Sequence, residues 1–150
     1  MESPSKYREW ETAVPDKIKN DSLWKMRVYR LGLFVGDLAW HDVGKIKEAR
    51  MYGLGDQLYR AAGSISANIA EGYSRGSNRD RARFYEYSLG SARESRDWYF
   101  KSRHILGEAV FQHRLNQLTE IIRLLLTIIP QQRGSFIREE KAEYLTNSEM

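Results

Sequence analysis

The chain contains no cysteine among its 150 residues. That excludes a disulfide framework and thiolate metal sites, and it suits a reducing, cytoplasmic compartment. Long apolar runs are missing as well: the longest, Ile121–Ile129, is interrupted by Arg123 and Thr127, so no membrane-spanning helix is expected. The opening, Met1 to Trp10, is polar and lacks the apolar stretch behind a basic cap that marks a signal peptide. Histidine is scarce, with three in all, and none stands in the Glu-x-x-His spacing that a di-iron helical bundle needs. Asp37 and His41 are four apart and would share a helix face, but two ligands without a third do not make a metal site. His41-Asp42 matches a dipeptide of metal phosphohydrolases whose companion histidines are absent here.

Phosphate loops and nucleophile elbows are also lacking. Gly53-Leu54-Gly55 begins a glycine fingerprint, yet Leu58 stands where its third glycine belongs and no strand precedes it. There is no Walker lysine motif, and no serine sits in a strand-turn-helix elbow. The chain therefore reads as a non-enzyme with no metal and no cofactor.

What is present is helical periodicity. Trp24, Val28, Leu31, Val35 and Leu38 follow a four-three spacing, as do Leu54, Leu58, Ala61, Ile65, Ile69 and Gly72. Gly32 and Gly36 weaken the first of these helices, so packing must hold it, and they allow a neighbour to approach closely. Gly72 and Gly76 bracket the end of the second. Ser77-Asn78-Arg79-Asp80 has a hydroxyl to cap a third helix and an acid three residues on. That helix runs to Leu106, with Gly107 as its stop and Tyr85, Ser88, Ala92, Ser95, Tyr99, Ser102 and Leu106 as its inner stripe. Phe84, Tyr87, Trp98 and Phe100 point elsewhere around it, which suggests more than one neighbour and hence an oligomer. Leu115, Leu118, Ile122, Leu125 and Ile129 form the fourth seam, and Pro130 is expected to end it.

No strand pattern competes. The fold class expected is all-α, an up-down-up-down antiparallel four-helix bundle over residues 22–130. Residues 1–21, with Pro4, Pro15 and charges without a period, read as a flexible N-terminal arm. His41–Arg50 reads as a polar connection, and 131–150 as a polar C-terminal tail with a short helical turn around Glu139–Leu145.

The net charge is +4, and its distribution says more than its total. Residues 22–132 carry 17 basic and 11 acidic side chains, whereas both ends are slightly acidic. A basic body favours an anionic partner such as nucleic acid. The densest cluster is Arg75, Arg79, Arg81 and Arg83, at the junction of the second and third helices. There a helix N-terminus adds backbone N–H groups and a favourable dipole. Arg93, Arg96, Lys101 and Arg103 continue the basic character, with Asp80, Glu86, Glu94 and Asp97 interspersed. Asn68 and Glu71 lie three apart on the second helix among alanines and isoleucines. A carboxylate in such surroundings needs a partner, and Arg60, Ser64, a serine of the third helix or Arg93 are the candidates. With Arg60, Ser64 and Glu94 they read as a buried polar clamp that fixes helix register, with no second carboxylate placed for acid–base work.

The run Leu58-Tyr59-Arg60-Ala61-Ala62-Gly63-Ser64-Ile65-Ser66-Ala67-Asn68-Ile69-Ala70-Glu71-Gly72-Tyr73, followed by Phe84-Tyr85-Glu86-Tyr87-Ser88-Leu89-Gly90-Ser91-Ala92-Arg93-Glu94, resembles the bacterial four-helix-bundle family. Its members are also called 23S rRNA intervening-sequence proteins or S23 ribosomal proteins. The resemblance covers about Trp24 to Pro130. It implies a small cytoplasmic homopentamer that has no catalytic residues. It also implies nucleic acid or a protein such as a reverse transcriptase as partner. The family motif falls on Arg60, Ser64, Asn68, Glu71, Gly72, Gly90, Ser91 and Glu94. This chain departs from the family at Ser66, where proline is common, and at Arg93 and Arg96, where leucine is common. The expected function is binding of nucleic acid, RNA foremost, through Arg75, Arg79, Arg81 and Arg83, without catalysis. The alternative is a scaffold that presents exposed aromatics such as Trp98 or Phe100 to a partner protein.

Overall fold

A computed structural model describes residues 6–134. They form six helices and no strand: α1 (Tyr7–Thr12), α2 (Asp16–Lys19), then a 3₁₀ turn (Ser22–Lys25), α3 (Arg27–Glu48), α4 (Tyr52–Tyr73), α5 (Asn78–Leu106) and α6 (Glu108–Arg133). The four long helices pack in chain order, α3 on α4, α4 on α5 and α5 on α6, and α6 returns to α3.

The apolar spacings account for this packing. Leu58, Ala61, Ile65 and Ile69 of α4 are buried, as are Leu118, Ile122, Leu125 and Ile129 of α6. Each such branched side chain removed from water contributes about 1.5–3 kcal/mol. All seven expected inner residues of α5 are buried, including Ser88, Ser95 and Ser102. These hydroxyls stay bonded: Ser88 donates across to the Ile65 carbonyl at 2.8 Å, while Ser95 and Ser102 donate back along their own helix. The small α5 stripe lets α4 come close. A Cβ on Gly72 would lie 2.8 Å from the Tyr85 ring and 3.0 Å from the Phe84 Cβ. Gly72 is therefore a packing residue inside α4 rather than a terminator. Ser77 caps α5 by accepting from the Asp80 N–H at 3.2 Å, and Gly107, at φ 89°, ends it.

Three sequence expectations are corrected. Residues 6–21 are not an arm without structure. Trp10 of α1 is buried, stacks with Trp24 at 6.3 Å, packs on Phe34 and donates its indole N–H to Asp37 at 2.7 Å. An aromatic cluster, not a helical period, holds this segment. His41–Arg50 is not a connection, because α3 runs through it to Glu48 with Asp42, Val43 and Ile46 buried. The helix end is closed without glycine. Arg50 adopts φ 65°, and the N–H groups of Arg50 and Met51 bond back to the carbonyls of Lys47 and Ile46, the pattern in which glycine is usual. Finally, α6 continues past Pro130 to Arg133. Pro130 has no N–H for the Leu126 carbonyl and its ring crowds that group, yet the Gly134 N–H still bonds the Pro130 carbonyl and the helix runs on for one more turn. Residues 135–150, with the turn expected around Glu139–Leu145, lie outside the described residues.

Candidate nucleic-acid interface

The junction of α4 and α5 gathers three of its four arginines around two aromatic rings. The guanidinium of Arg75 lies over Phe84, 4.6 Å from the ring centroid, and that of Arg83 lies over the same ring at 5.3 Å. Arg81 approaches Tyr73 at 6.0 Å and donates from Nε to the Arg75 carbonyl at 2.9 Å. Tyr87 meets Phe84 edge-on at 5.5 Å. Arg79, in the first turn of α5, is exposed. Two carboxylates reach into the cluster: Glu71 pairs with Arg75 at 3.3 Å and Asp80 with Arg83 at 3.7 Å. Both pairs are solvent-exposed, where such contacts contribute little and are screened by salt. A polyanion that brings several phosphates displaces them at small cost. Arg75, Arg81 and Arg83 thus gather around Phe84 and Tyr73, with Arg79 exposed beside them in the first turn of α5.

The expected polar clamp is not formed. Arg60, Glu71 and Glu94 are exposed, and Ser64 and Asn68 are half-buried. Ser64 donates to the Arg60 carbonyl and Asn68 to the Ser64 carbonyl, both within α4. Their bonds are local to one helix because these side chains lie off the face of α4 that Ile65 and Ile69 bury. The scaffold aromatics divide: Phe100 is 51% exposed, whereas Trp98 is half-buried with its indole N–H enclosed.

A buried polar network that sequence reasoning did not find sits elsewhere, among α3, α5 and α6. The Asp42 carboxylate accepts from Arg114 at 2.8 and 3.0 Å and from the Tyr99 hydroxyl at 2.6 Å. Arg114 also meets Nδ1 of His113 at 2.8 Å. Burial pushes the Tyr99 hydroxyl well above its ordinary pKa, and the neighbouring Asp42 charge adds to this. Burial pulls the Arg114 guanidinium down, but its hydrogen bond and charge contact with Asp42 outweigh that and hold it above its ordinary value. The network is a fixed ion pair inside the core. Its signal in the sequence was an acid within the apolar spacing of α3 and an arginine within that of α6.

Asp37 is engaged by Trp10 rather than by a metal partner of His41. Among the described residues no three metal-binding side chains cluster, and no helix is long and apolar enough to cross a membrane. A groove of about 800 Å³ runs between α3 and α4, lined by Trp40, Val43, Gly44, Tyr59, Gly63 and Ala67 among others.

A family model described as 23S rRNA-intervening sequence protein matches residues 26–127. No curated protein and no solved structure matches the chain.

Proposed function

The chain belongs to the 23S rRNA-intervening sequence protein family, and from that premise we propose that it is a non-catalytic RNA-binding protein of the cytoplasm. In this reading α3–α6 act as an up-down-up-down antiparallel four-helix bundle, assembled as a homopentamer. The arginines Arg75, Arg79, Arg81 and Arg83 contact phosphate. The observation that supports the reading is the convergence of Arg75, Arg81 and Arg83 on Phe84 and Tyr73 at the α4–α5 junction, where among the described residues two exposed carboxylates, Glu71 and Asp80, pair with them. Repetition of the patch around a ring multiplies weak contacts.

Self-association has its own support. A Cβ added at Gly36, Gly44 or Gly63 meets nothing within 4 Å inside the chain, yet a glycine inside a helix costs about 1 kcal/mol relative to alanine. Gly44 and Gly63 line the groove beside Trp40, which is 66% exposed. Close approach by a second copy is what such glycines allow.

RNA retention measured across a salt series tests the function. Wild type should bind with log K falling linearly as log salt rises. The triple variant R79A/R81A/R83A should bind more weakly, with a slope flatter by roughly 2–3 if each arginine neutralises a phosphate. Absence of salt-sensitive retention at low ionic strength would reject the reading. The exposed ring of Phe100 favours the second reading, a scaffold for a partner protein such as a polymerase. Partners recovered from a lysate after nuclease treatment would support that reading instead.

A further inference from the structure

We propose that one side of α5, carrying Arg93, Arg96, Phe100 and Arg103, is a platform for an unpaired nucleic-acid strand. The proposal rests on the RNA-binding reading and adds to it a second surface and a strand state. The four residues are spaced three, four and three apart, which places them along one side of a helix. At a rise of 1.5 Å per residue they extend over about 15 Å, the reach of a few nucleotides.

The charge on this side is uncommitted. Among the described residues, none of Arg93, Arg96 and Arg103 is in an ion pair with a carboxylate. The acids nearest in sequence are engaged or turned away: Glu86 pairs with Arg133, Asp97 pairs with Lys101 at 2.7 Å, and Glu94 follows a different side of the helix. Arg75 and Arg83, at the junction, each carry an acidic partner. A polyanion therefore meets three guanidinium groups here without first displacing a carboxylate.

Geometry decides for the unpaired strand. The Arg103 guanidinium lies 3.8 Å from the centroid of Phe100 and is tied by Nη1 to the Phe100 carbonyl at 2.8 Å. Phe111 of α6 supports the ring edge-on at 5.9 Å. The pair is thus held in place before any ligand arrives, and little side-chain freedom is lost on binding. Planar guanidinium and phenyl groups gain from a base whose face is free. In a duplex the base faces are stacked on one another, and such a surface sees only phosphates and groove edges. The same pairing recurs at the start of α5, where Arg75 and Arg83 flank Phe84, so the helix carries guanidinium–aromatic stacks near both ends.

The test is fluorescence anisotropy of the full chain with a labelled 12-nucleotide RNA that cannot self-pair, the same RNA annealed to its complement, and the DNA strand of identical sequence. At matched salt, at least one unpaired strand should bind more tightly than the duplex, and the RNA and DNA arms identify which sugar is preferred. Phe100→Leu and Arg103→Lys should each weaken unpaired-strand binding by roughly 5- to 100-fold while duplex binding and the salt slope stay as in wild type. Arg103→Lys keeps the charge and loses the plane, so it separates stacking from electrostatics. Arg93→Gln with Arg96→Gln should instead flatten the salt slope. Thermal melts matching wild type establish that the variants fold. Equal binding of duplex and single strands, or unchanged affinity in Phe100→Leu, overturns the platform and leaves salt-dependent binding at Arg75–Arg83 standing. Failure of every oligonucleotide to bind overturns both.

Discussion

Asp42 occupies a position where an apolar side chain would continue the buried stripe of α3. Its ion pair with Arg114 is nearly inaccessible to water, with side-chain exposures of 3% and 4%. A pair of this kind is a weak source of net stability but a costly thing to break. Asp42→Asn leaves the guanidinium without its counter-charge and should lose about 3–5 kcal/mol in a urea melt. Replacing Asp42 with Leu and Arg114 with Met together should cost less, because no charge is then stranded, although the buried Tyr99 hydroxyl loses its acceptor. Equal losses in the single and double variants would refute this account. Gly72 poses the opposite problem, too little space. A methyl group there meets the buried Tyr85 ring at 2.8 Å. Gly72→Ala should therefore destabilise by about 1–3 kcal/mol through overpacking, outweighing the roughly 1 kcal/mol that alanine gains in helix propensity. A melting temperature at or above that of wild type would show that the ring can move aside.

At the scale of elements, legibility followed the kind of signal each helix carries. The stripe of α5 was readable because seven positions obey one spacing and both ends carry local signals, Ser77 and Gly107. The second half of α3 was not, because Asp42 interrupts the apolar pattern and Arg50 takes the left-handed position usually held by glycine. The segment α1 is too short to show a period, and its docking depends on Phe34 and Asp37, far away in sequence. A helix of six residues has no stability of its own in water, so Trp10 must supply it. Trp10→Ala should cost about 3 kcal/mol of docking energy. Hydrogen exchange should then lose protection in residues 7–12 while α4–α6 keep theirs. Unchanged exchange in α1 would mean that something other than the indole holds it.

For the whole molecule, the open glycines with exposed Trp40 and the clustered arginines at the α4–α5 junction make two surfaces of different chemistry. If the groove between α3 and α4 seats a second copy, Gly63→Leu should break the assembly while leaving the isolated chain about as stable as before, since a Cβ there meets nothing within 4 Å and leucine favours the helix. For the proposed pentamer, light scattering should then fall from five times the 17.6 kDa chain to a smaller species. An unaltered mass would place the subunit contact elsewhere. The basic surface was legible as composition, but its partition was not. Which arginines stack on aromatics and which are paired to carboxylates depends on neighbours one turn away or on another helix.

The amino-acid order alone determined the all-helical class, the four apolar stripes and the boundaries of α5, because spacing and capping are local and act within a few residues of chain. Only the tertiary structure decided the docking of α1, the ion pair of Asp42 with Arg114, and the exposure of the residues read as a clamp. Those outcomes depend on which side chains meet across helices, and burial is a property of the assembled core rather than of any single stretch.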